Sequence, residues 1–268
     1  MSLRYRLELL AQRVADFYFM LVPRRRPSAQ ALLACKLVSH RGEHDNRKLR
    51  ENTLAAFQAA ADTGVWGIEF DVCWSHDLEP FVIHDATTGR VFGTNLAVAE
   101  VSAAQLRRDI PEIPTLEEVV TEFGGKLHMM IELKRDRLGQ DNLKAARLAE
   151  ILDGLAPVRD YHFLALQPDL FSPVEFAGGP ACLLVAELQA GDFSHEVIDR
   201  DYGGLCGHYL LLNDRMFRRH HARGQQLGTG FVTSRYCLYR ELNRGTDWIF
   251  TNHASKLVAI RERLLGRR

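Results

Sequence analysis

The sequence predicts an α/β protein built as a (β/α)8 barrel, with an N-terminal helix and a β-hairpin extension after the second strand. Short apolar runs alternate with helical patterns across residues 36–268, and this alternation is typical of a closed parallel sheet. The length of 268 residues fits the roughly 250 residues of one such barrel. A doubly wound open sheet is the structural alternative, although the GxGxxG run that often follows its first strand is missing.

Residues 1–35 are predicted to form an N-terminal amphipathic helix and a linker, ahead of a barrel domain at 36–268. Apolar residues recur there at helical spacing, at Leu7, Leu10, Val14, Phe17 and Leu21. We expect this stripe to pack on the barrel. Because Arg24–Arg26 follow it, a helix at a membrane surface or against a partner is the alternative, and disorder is the third. The longest apolar run, Phe17–Val22, is far shorter than the roughly 18 residues of a membrane span.

Eight apolar runs are predicted as the parallel strands, near residues 36–40, 67–73, 127–133, 161–166, 181–186, 205–211, 226–232 and 247–251. Helical patterns separate them, such as the run that begins after Pro114 and ends at Gly124. The run 80–85 breaks the alternation because it starts too soon after the second strand for a parallel crossover, which needs a dozen or more residues. We therefore expect an antiparallel hairpin that places His84 roughly opposite Asp71.

Charge and cysteine content exclude some classes of function. Lys and Arg together number 34, the same as Asp and Glu, which argues against nucleic acid as a partner. The five cysteines are odd in number and form no CxxC pair. This pattern predicts reduced thiols in a cytoplasmic protein, and neither a disulfide framework nor a zinc site.

Charged side chains interrupt two neighbouring predicted strands. Glu69 and Asp71 are two residues apart and therefore share a face of one strand, and Glu132 and Lys134 repeat that spacing on the next. Buried carboxylates are costly unless they are paired or bind a metal. A hard divalent cation with oxygen ligands, Mg²⁺ or Ca²⁺, would offset the repulsion between the three acids. The alternative is that these acids are rim carboxylates in salt bridges with Arg41 and Lys134.

Two histidines are predicted at the same end of the barrel. His40 and Arg41 end the first strand, and His84 lies in the hairpin. The C-terminal ends of the strands are where barrels of this kind carry out chemistry. Two histidines can divide proton donation and acceptance, and a cation with Arg41 and Lys134 suits an anion whose charge grows in the transition state. This combination favours phosphoryl chemistry on a phosphate ester.

Six motifs resemble, in order and spacing, the glycerophosphodiester phosphodiesterases, which are TIM barrels related to phosphatidylinositol phospholipase C. They are HRG at 40–42, ENTLAAF at 51–57, IEFDV at 68–72, VIHD at 82–85, IPTLEEV at 113–119 and IELK at 131–134. Each motif alone is weak, but six in order are specific. The second half resembles the family more loosely, with GTDWIFTN at 245–252 similar to its closing strand.

The resemblance implies hydrolysis of glycerophosphodiesters to glycerol phosphate and an alcohol, with one divalent metal ion. It implies His40 and His84 as the acid and base, and Arg41 and Lys134 as phosphate-binding residues. It implies Glu69, Asp71 and Glu132 as metal ligands. Glu51 and Asn52 would support the site from the start of the first helix, Glu51 by assisting the metal or a substrate hydroxyl. In this family a neighbouring glycerol hydroxyl is thought to attack phosphorus, which gives a cyclic phosphate that water opens.

The sequence departs from the family pattern in three places. ATTGRVFG at 86–93 replaces a leucine and an Arg-Thr-Thr run, LGTGFVTSR at 227–235 lacks a tryptophan, and LALQPD at 164–169 replaces a Ser-Phe pair. These departures leave the metal centre untouched but change the wall that would bind the alcohol. Two alternatives stay open: phospholipase D-like hydrolysis of lysophospholipids, with the N-terminal helix approaching a membrane, and a non-catalytic phosphate-binding module.

Overall fold

A computed structural model describes residues 14–267 apart from residue 16, and in that part of the chain nine strands form one sheet. The strands are β1 (Lys36–His40), β2 (Gly67–Trp74), β3 (Pro80–Val82), β4 (His128–Leu133), β5 (Tyr161–Ala165), β6 (Cys182–Ala186), β7 (Gly204–His208), β8 (Gln226–Gly230) and β9 (Trp248–Thr251). All except β3 are parallel neighbours, and β1 pairs with both β2 and β9. The sheet therefore closes, which confirms the predicted (β/α)8 barrel and excludes the open sheet.

Helices follow the strands around the outside of the barrel. They are α1 (Ala29–Leu33), α2 (Leu54–Asp62), α3 (Gly89–Phe92), α4 (Ala103–Asp109), α5 (Leu116–Phe123), α6 (Asp141–Ile151), α7 (Ala190–Asp199), α8 (Asp214–His221), α9 (Arg235–Arg244) and α10 (Ala254–Leu264), with short 3₁₀ turns at Val98–Glu100, Pro168–Ala177 and Gly179–Ala181. Their starts follow capping chemistry. The Thr53 hydroxyl accepts from the Ala56 amide, and Thr115 with Glu118 forms a capping box.

Two apolar layers hold the barrel together, one inside the sheet and one between the sheet and the helices. The inner layer includes Val38, Met130, Leu164, Leu183 and Cys206. The outer layer includes Phe57, Phe70, Phe123 and Phe163. Because side chains alternate along a strand, β2 turns Phe70 outward into the second layer and Glu69 and Asp71 inward. The five cysteines are all free and buried.

The hairpin forms, but its predicted register is wrong by one residue. Val72 pairs with Val82 and Trp74 with Pro80, so Ile83 is the residue opposite Asp71, and its amide donates to the Asp71 carbonyl at 2.9 Å. The turn is tighter than expected because Leu78 adopts a left-handed conformation with φ of 61°. Strand pairing stops at Val82, and His84 lies beyond it.

The N-terminal segment packs through a different residue from those predicted. Phe19 is buried, and its ring centroid lies 5.4 Å from that of Tyr209. Val14, Phe17 and Leu21 of the predicted stripe are exposed, whereas Leu7 and Leu10 lie outside the described residues. Among the described helices, none combines the length and the apolar character that crossing a bilayer requires. The division at residue 35 stays a prediction.

Candidate active site

A cavity of about 640 Å³ opens at the C-terminal ends of the strands. Six of the predicted site residues line it: His40, Arg41, Glu69, His84, Glu132 and Lys134. Asp71 is fully buried beneath them, and Glu51 and Asn52 are buried beside them in the loop after β1. The structure therefore brings the predicted site residues together, although they come from three strands, a hairpin and a loop.

The turn after β1 needs its glycine for steric reasons. Arg41 and Gly42 both have left-handed backbones, with φ of 59° and 78°. A Cβ atom on Gly42 would stand 2.7 Å from the backbone carbon of Ala56 in α2, so only glycine fits there. The turn lets the Arg41 side chain reach back over β2, where its Nε lies 3.1 Å from Asp71 Oδ2.

Three carboxylates meet at the floor of the cavity. Glu69, Asp71 and Glu132 each offer an oxygen, and these oxygens lie within 4.8 Å of one another. They meet because β2 and β4 pair with Asp71 beside Glu132, and Glu69 precedes Asp71 on the same face. Glu69 Oε1 and Asn52 Oδ1 are buried without a hydrogen-bond partner among the described residues. Buried oxygens that lack a donor suit a hard divalent cation, so the residues present fit the metal site that the sequence predicts.

Two cationic side chains, Arg41 and Lys134, contact this cluster. Lys134 Nζ lies 2.8 Å from Asp71 Oδ1 and also pairs with Glu132. Burial alone would raise the pKa of Asp71, but Lys134 and Arg41 together hold that pKa below its ordinary value. Burial, followed by the charge of Asp71, raises the pKa of both Glu69 and Glu132. Three carboxylates thus face two cationic side chains, so a further cation bound there would stabilise the ionised form of the cluster.

Each histidine is held by a partner on Nδ1. The Nδ1 of His40 donates to Asn252 Oδ1 at 2.6 Å, which leaves Nε2 facing Glu69 Oε2 at 3.7 Å. Burial, assisted by the charge of Arg41, lowers the pKa of His40 to about 4, so its ring is neutral at pH 7. The Nδ1 of His84 donates to Asp85 Oδ1 at 2.6 Å. In both rings Nδ1 makes the hydrogen bond that fixes the ring, so Nε2 is the nitrogen left to exchange a proton.

Arg90 links the two halves of the site. Its guanidinium donates to Asp85 Oδ2 at 2.5 Å and to Glu51 Oε1 at 2.6 Å. Glu51 in turn accepts from Arg41 at 3.1 Å. Burial would raise the pKa of Glu51, but the hydrogen bonds from Arg90 and Asn46 hold it at about 2. Glu51 therefore faces the arginines and not the acid cluster.

Two of these residues, Asn252 and Arg90, were not predicted from the sequence. Asn252 ends the closing motif GTDWIFTN, yet nothing local shows that it meets His40. Arg90 lies in the segment where the sequence departs from the family pattern, and that departure was its only signal. Asn52 was predicted at the start of the first helix, and its Nδ2 donates to Asp71 Oδ2 at 2.9 Å.

The opposite side of the cavity is mainly apolar, with Glu187 and His208 among its titratable members. Its lining includes Leu164, Val185, Leu211, Phe231 and Phe250. Leu188 and Leu210, also in the lining, are exposed at the rim. The cavity therefore offers charged groups for an anion on one side and a hydrocarbon surface on the other.

Residues 40–159 match the family model described as the Glycerophosphoryl diester phosphodiesterase family. The mouse protein Glycerophosphodiester phosphodiesterase 1 is 35% identical over 117 residues, which cover 38% of this chain and 32% of that protein. A Glycerophosphodiester phosphodiesterase of Caldanaerobacter subterraneus is 34% identical over 110 residues, covering 37% of this chain and 44% of that protein. The chain thus matches less than half the length of these curated relatives.

Solved structures share the fold over more of the chain. A glycerophosphodiester phosphodiesterase from Thermotoga maritima superposes with a TM-score of 0.70 at 23% identity, over 84% of this chain and 98% of that one. An Oleispira antarctica phosphodiesterase, solved in complex with the product sn-glycerol-3-phosphate, superposes with a TM-score of 0.69 at 21% identity, over 84% of this chain and 96% of that one. At these identities the likeness establishes the barrel.

Proposed function

We propose that this chain belongs to the glycerophosphoryl diester phosphodiesterase family, whose model its residues 40–159 match, and that it hydrolyses glycerophosphodiesters to glycerol phosphate and an alcohol. The observation that carries the proposal is the acid cluster, which shares one cavity with two histidines and two cations. A phosphodiester needs its anionic charge balanced, its attacking hydroxyl deprotonated and its leaving alkoxide protonated. The cavity supplies a group for each of these needs.

Glu69, Asp71 and Glu132 would hold one divalent cation, Mg²⁺ or Ca²⁺. When bound, such an ion withdraws charge from a phosphoryl oxygen and lowers the pKa of a bound hydroxyl. Arg41 and Lys134 line the cavity beside the acids and offer N–H donors to the remaining phosphoryl oxygens. Asn52 keeps Asp71 in place through its 2.9 Å hydrogen bond.

His40 and His84 would transfer the protons. One Nε2 takes the proton of a neighbouring glycerol hydroxyl as its oxygen bonds to phosphorus, and the other gives a proton to the alcohol oxygen as its bond to phosphorus breaks. The cyclic phosphate that results is then opened by water with the two roles exchanged. Asn252 and Asp85 support this proposal because each fixes its histidine through Nδ1 and leaves Nε2 available.

The apolar side of the cavity favours a second candidate, phospholipase D-like hydrolysis of lysophospholipids. A phosphodiester bound by Arg41 and Lys134 would extend its other substituents toward Leu164, Val185 and Phe250. A hydrocarbon chain would gain about 0.8 kcal/mol for each CH₂ that it buries there. Glycerophosphodiesters with small head groups would leave that apolar surface exposed to water.

The position of the N-terminal segment supports contact with a membrane in this second case. Ser234, just before α9, donates to the Phe19 carbonyl at 3.4 Å, and Asn243 near the end of α9 donates to the Arg25 carbonyl at 2.8 Å. Helices of a barrel return from the mouth toward the floor, so Phe19 lies at the level of the mouth. The exposed Phe17 and Leu21 flank it. The proposal extends to a cytoplasmic protein that reaches membranes peripherally.

A panel of substrates tests both candidates. Choline release from glycerophosphocholine and from lysophosphatidylcholine would be measured in EDTA, in Mg²⁺ and in Ca²⁺, with His40→Ala and His84→Ala as controls. We expect release that needs a cation and both histidines, and the ratio between the two substrates chooses between the candidates. If no phosphodiester is hydrolysed in any condition while the wild-type protein still binds phosphate, the chain is a phosphate-binding module.

A further inference from the structure

Phe231 has a backbone conformation that is unusual for a large side chain. It directly follows the last residue of β8 and has φ of 64°, in the left-handed region where a Cβ atom crowds the following carbonyl. Residues with bulky side chains adopt this region rarely, and their strain persists only where other contacts impose it. A phenylalanine at this position therefore needs a contact or a role that compensates for the strain.

Packing in the core does not account for the strain at Phe231. The residue is 41% exposed and is not among the buried residues of either apolar layer. The exposed part instead lines the cavity. Strained residues that face a cavity are more often part of a site than of the framework.

The ring of Phe231 lies at the border between the charged and the apolar sides of the cavity. Its centroid is 5.8 Å from that of His40 in an edge-on contact and 5.7 Å from that of His208 in a stacked contact. A backbone with ordinary φ would direct the side chain elsewhere. The left-handed conformation thus sets the ring beside a histidine that transfers a proton and next to the wall that contains Phe250.

We propose that Phe231 is a specificity-determining residue, whose ring selects phosphodiesters that carry an apolar group close to the phosphate. The proposal rests on the phosphodiesterase function proposed above and adds the class of substrate. The apolar group has two sources, an acyl chain on the glycerol side or an alkyl chain on the leaving alcohol. Both present hydrocarbon to the same ring.

Paired substitutions separate the strain from the ring. Phe231→Ala and Phe231→Gly both remove the ring, but only alanine keeps a Cβ atom in the left-handed region. We expect the glycine variant to have a Tm about 2–4 °C above that of the alanine variant, the reverse of the usual order. Phe176 is the matched control, since it is 45% exposed, lies outside the cavity lining and has no left-handed φ. There alanine should be the more stable of the two.

Kinetics then test the ring itself. The values of kcat/KM would be measured for glycerophosphocholine, for lysophosphatidylcholine and for a glycerophosphodiester of octanol. We expect the wild-type protein to prefer at least one of the two apolar substrates, and both ring-less variants to lose that preference by about 10-fold or more. Phe231→Tyr should retain it. The apolar substrate whose kcat/KM falls more in these variants identifies the side of the phosphate that contacts the ring.

Three contrary outcomes are distinguishable. A wild-type protein that hydrolyses none of the three substrates overturns the proposed function and the substrate class with it. Hydrolysis with an unchanged preference in Phe231→Ala and Phe231→Gly overturns only the role of Phe231. A glycine variant that is no more stable than the alanine variant overturns the claim that the strain is held for the sake of the ring.

Discussion

Replacing Glu69 by glutamine tests the acid cluster without changing its shape. Two unit charges 4.8 Å apart, the upper limit in this cluster, repel by about 3.5 kcal/mol at an effective dielectric constant of about 20. Glu69 faces two such neighbours, Asp71 and Glu132, and Arg41 and Lys134 offset only part of that repulsion. Burial first, and then this repulsion, raise the pKa of Glu69, so the uncharged amide should be tolerated well in the absence of a cation.

The assay is thermal unfolding in EDTA, in Mg²⁺ and in Ca²⁺. In EDTA we expect the Tm of Glu69→Gln to be no lower than that of the wild-type protein and at most a few °C above it. A cation present at about 100 times its Kd stabilises the protein that binds it by about 2.7 kcal/mol. That corresponds to a wild-type Tm rise of about 5–10 °C for a chain of this size. In Glu69→Gln the rise should fall by half or more, because one of three charged ligands is lost.

Glu241→Gln is the matched control. Glu241 is a fully buried carboxylate that pairs with Arg240 and Arg244 on α9, outside the cavity lining. Its replacement should lower the Tm in EDTA, since it leaves two arginines without their partner, and should keep the whole rise with the cation. The reasoning is refuted if Glu69→Gln retains the full rise, or if it unfolds many degrees earlier than the wild-type protein in EDTA.

Three further outcomes are expected. His40→Ala and His84→Ala should each reduce turnover by about 10²–10⁴-fold, measured as alcohol release, with a Tm close to that of the wild-type protein. Arg90→Ala should lower kcat/KM about 10-fold, because both of its carboxylate partners lose the guanidinium that orients them, and Arg90→Lys should restore it only in part. His128 and His162 share a buried hydrogen bond of 2.8 Å, and burial lowers their pKa values to about 4 and about 3. The unfolded chain then binds more protons than the folded one below about pH 6.5, so the free energy of unfolding in urea should fall from there toward pH 4, by up to about 1.4 kcal/mol per pH unit for each proton.

Controls and contrary outcomes follow from the same contacts. Arg147 binds the carboxylates of Glu79, Glu117 and Glu150 away from the cavity, so Arg147→Ala should change the Tm and not kcat/KM. An equal loss of turnover in both arginine variants would contradict the positioning role of Arg90. Wild-type turnover in either histidine variant would remove that histidine from the mechanism. A free energy of unfolding that stays flat between pH 7 and pH 4.5 would contradict the neutral histidine pair.

Strand periodicity allowed much of the barrel and its acid cluster to be predicted. Glu69 and Asp71 share a face because side chains alternate along any strand, and β4 repeats the arrangement with Glu132. The helical pattern after Pro114 likewise predicted a helix, which the structure shows at Leu116–Phe123. These signals are local, so they hold before the chain folds. The prediction that the apolar stripe near the N-terminus packs on the barrel was wrong for Val14, Phe17 and Leu21, which are exposed. Periodicity predicts which residues share a face of a helix, but not whether that face packs against another surface.

Closure of the barrel decided what the sequence left open. Asn252 meets His40 across 212 positions of the chain, and Phe231 meets it from β8. The hairpin register shifted by one residue because the conformation of Leu78 set the turn. The sequence by itself determined the strands, the faces of the acids and the residue types available for catalysis, since these depend on spacing along a few residues. Only the tertiary structure decided which partner holds each histidine and which ring walls the cavity, because those distances exist only after the last strand pairs with the first.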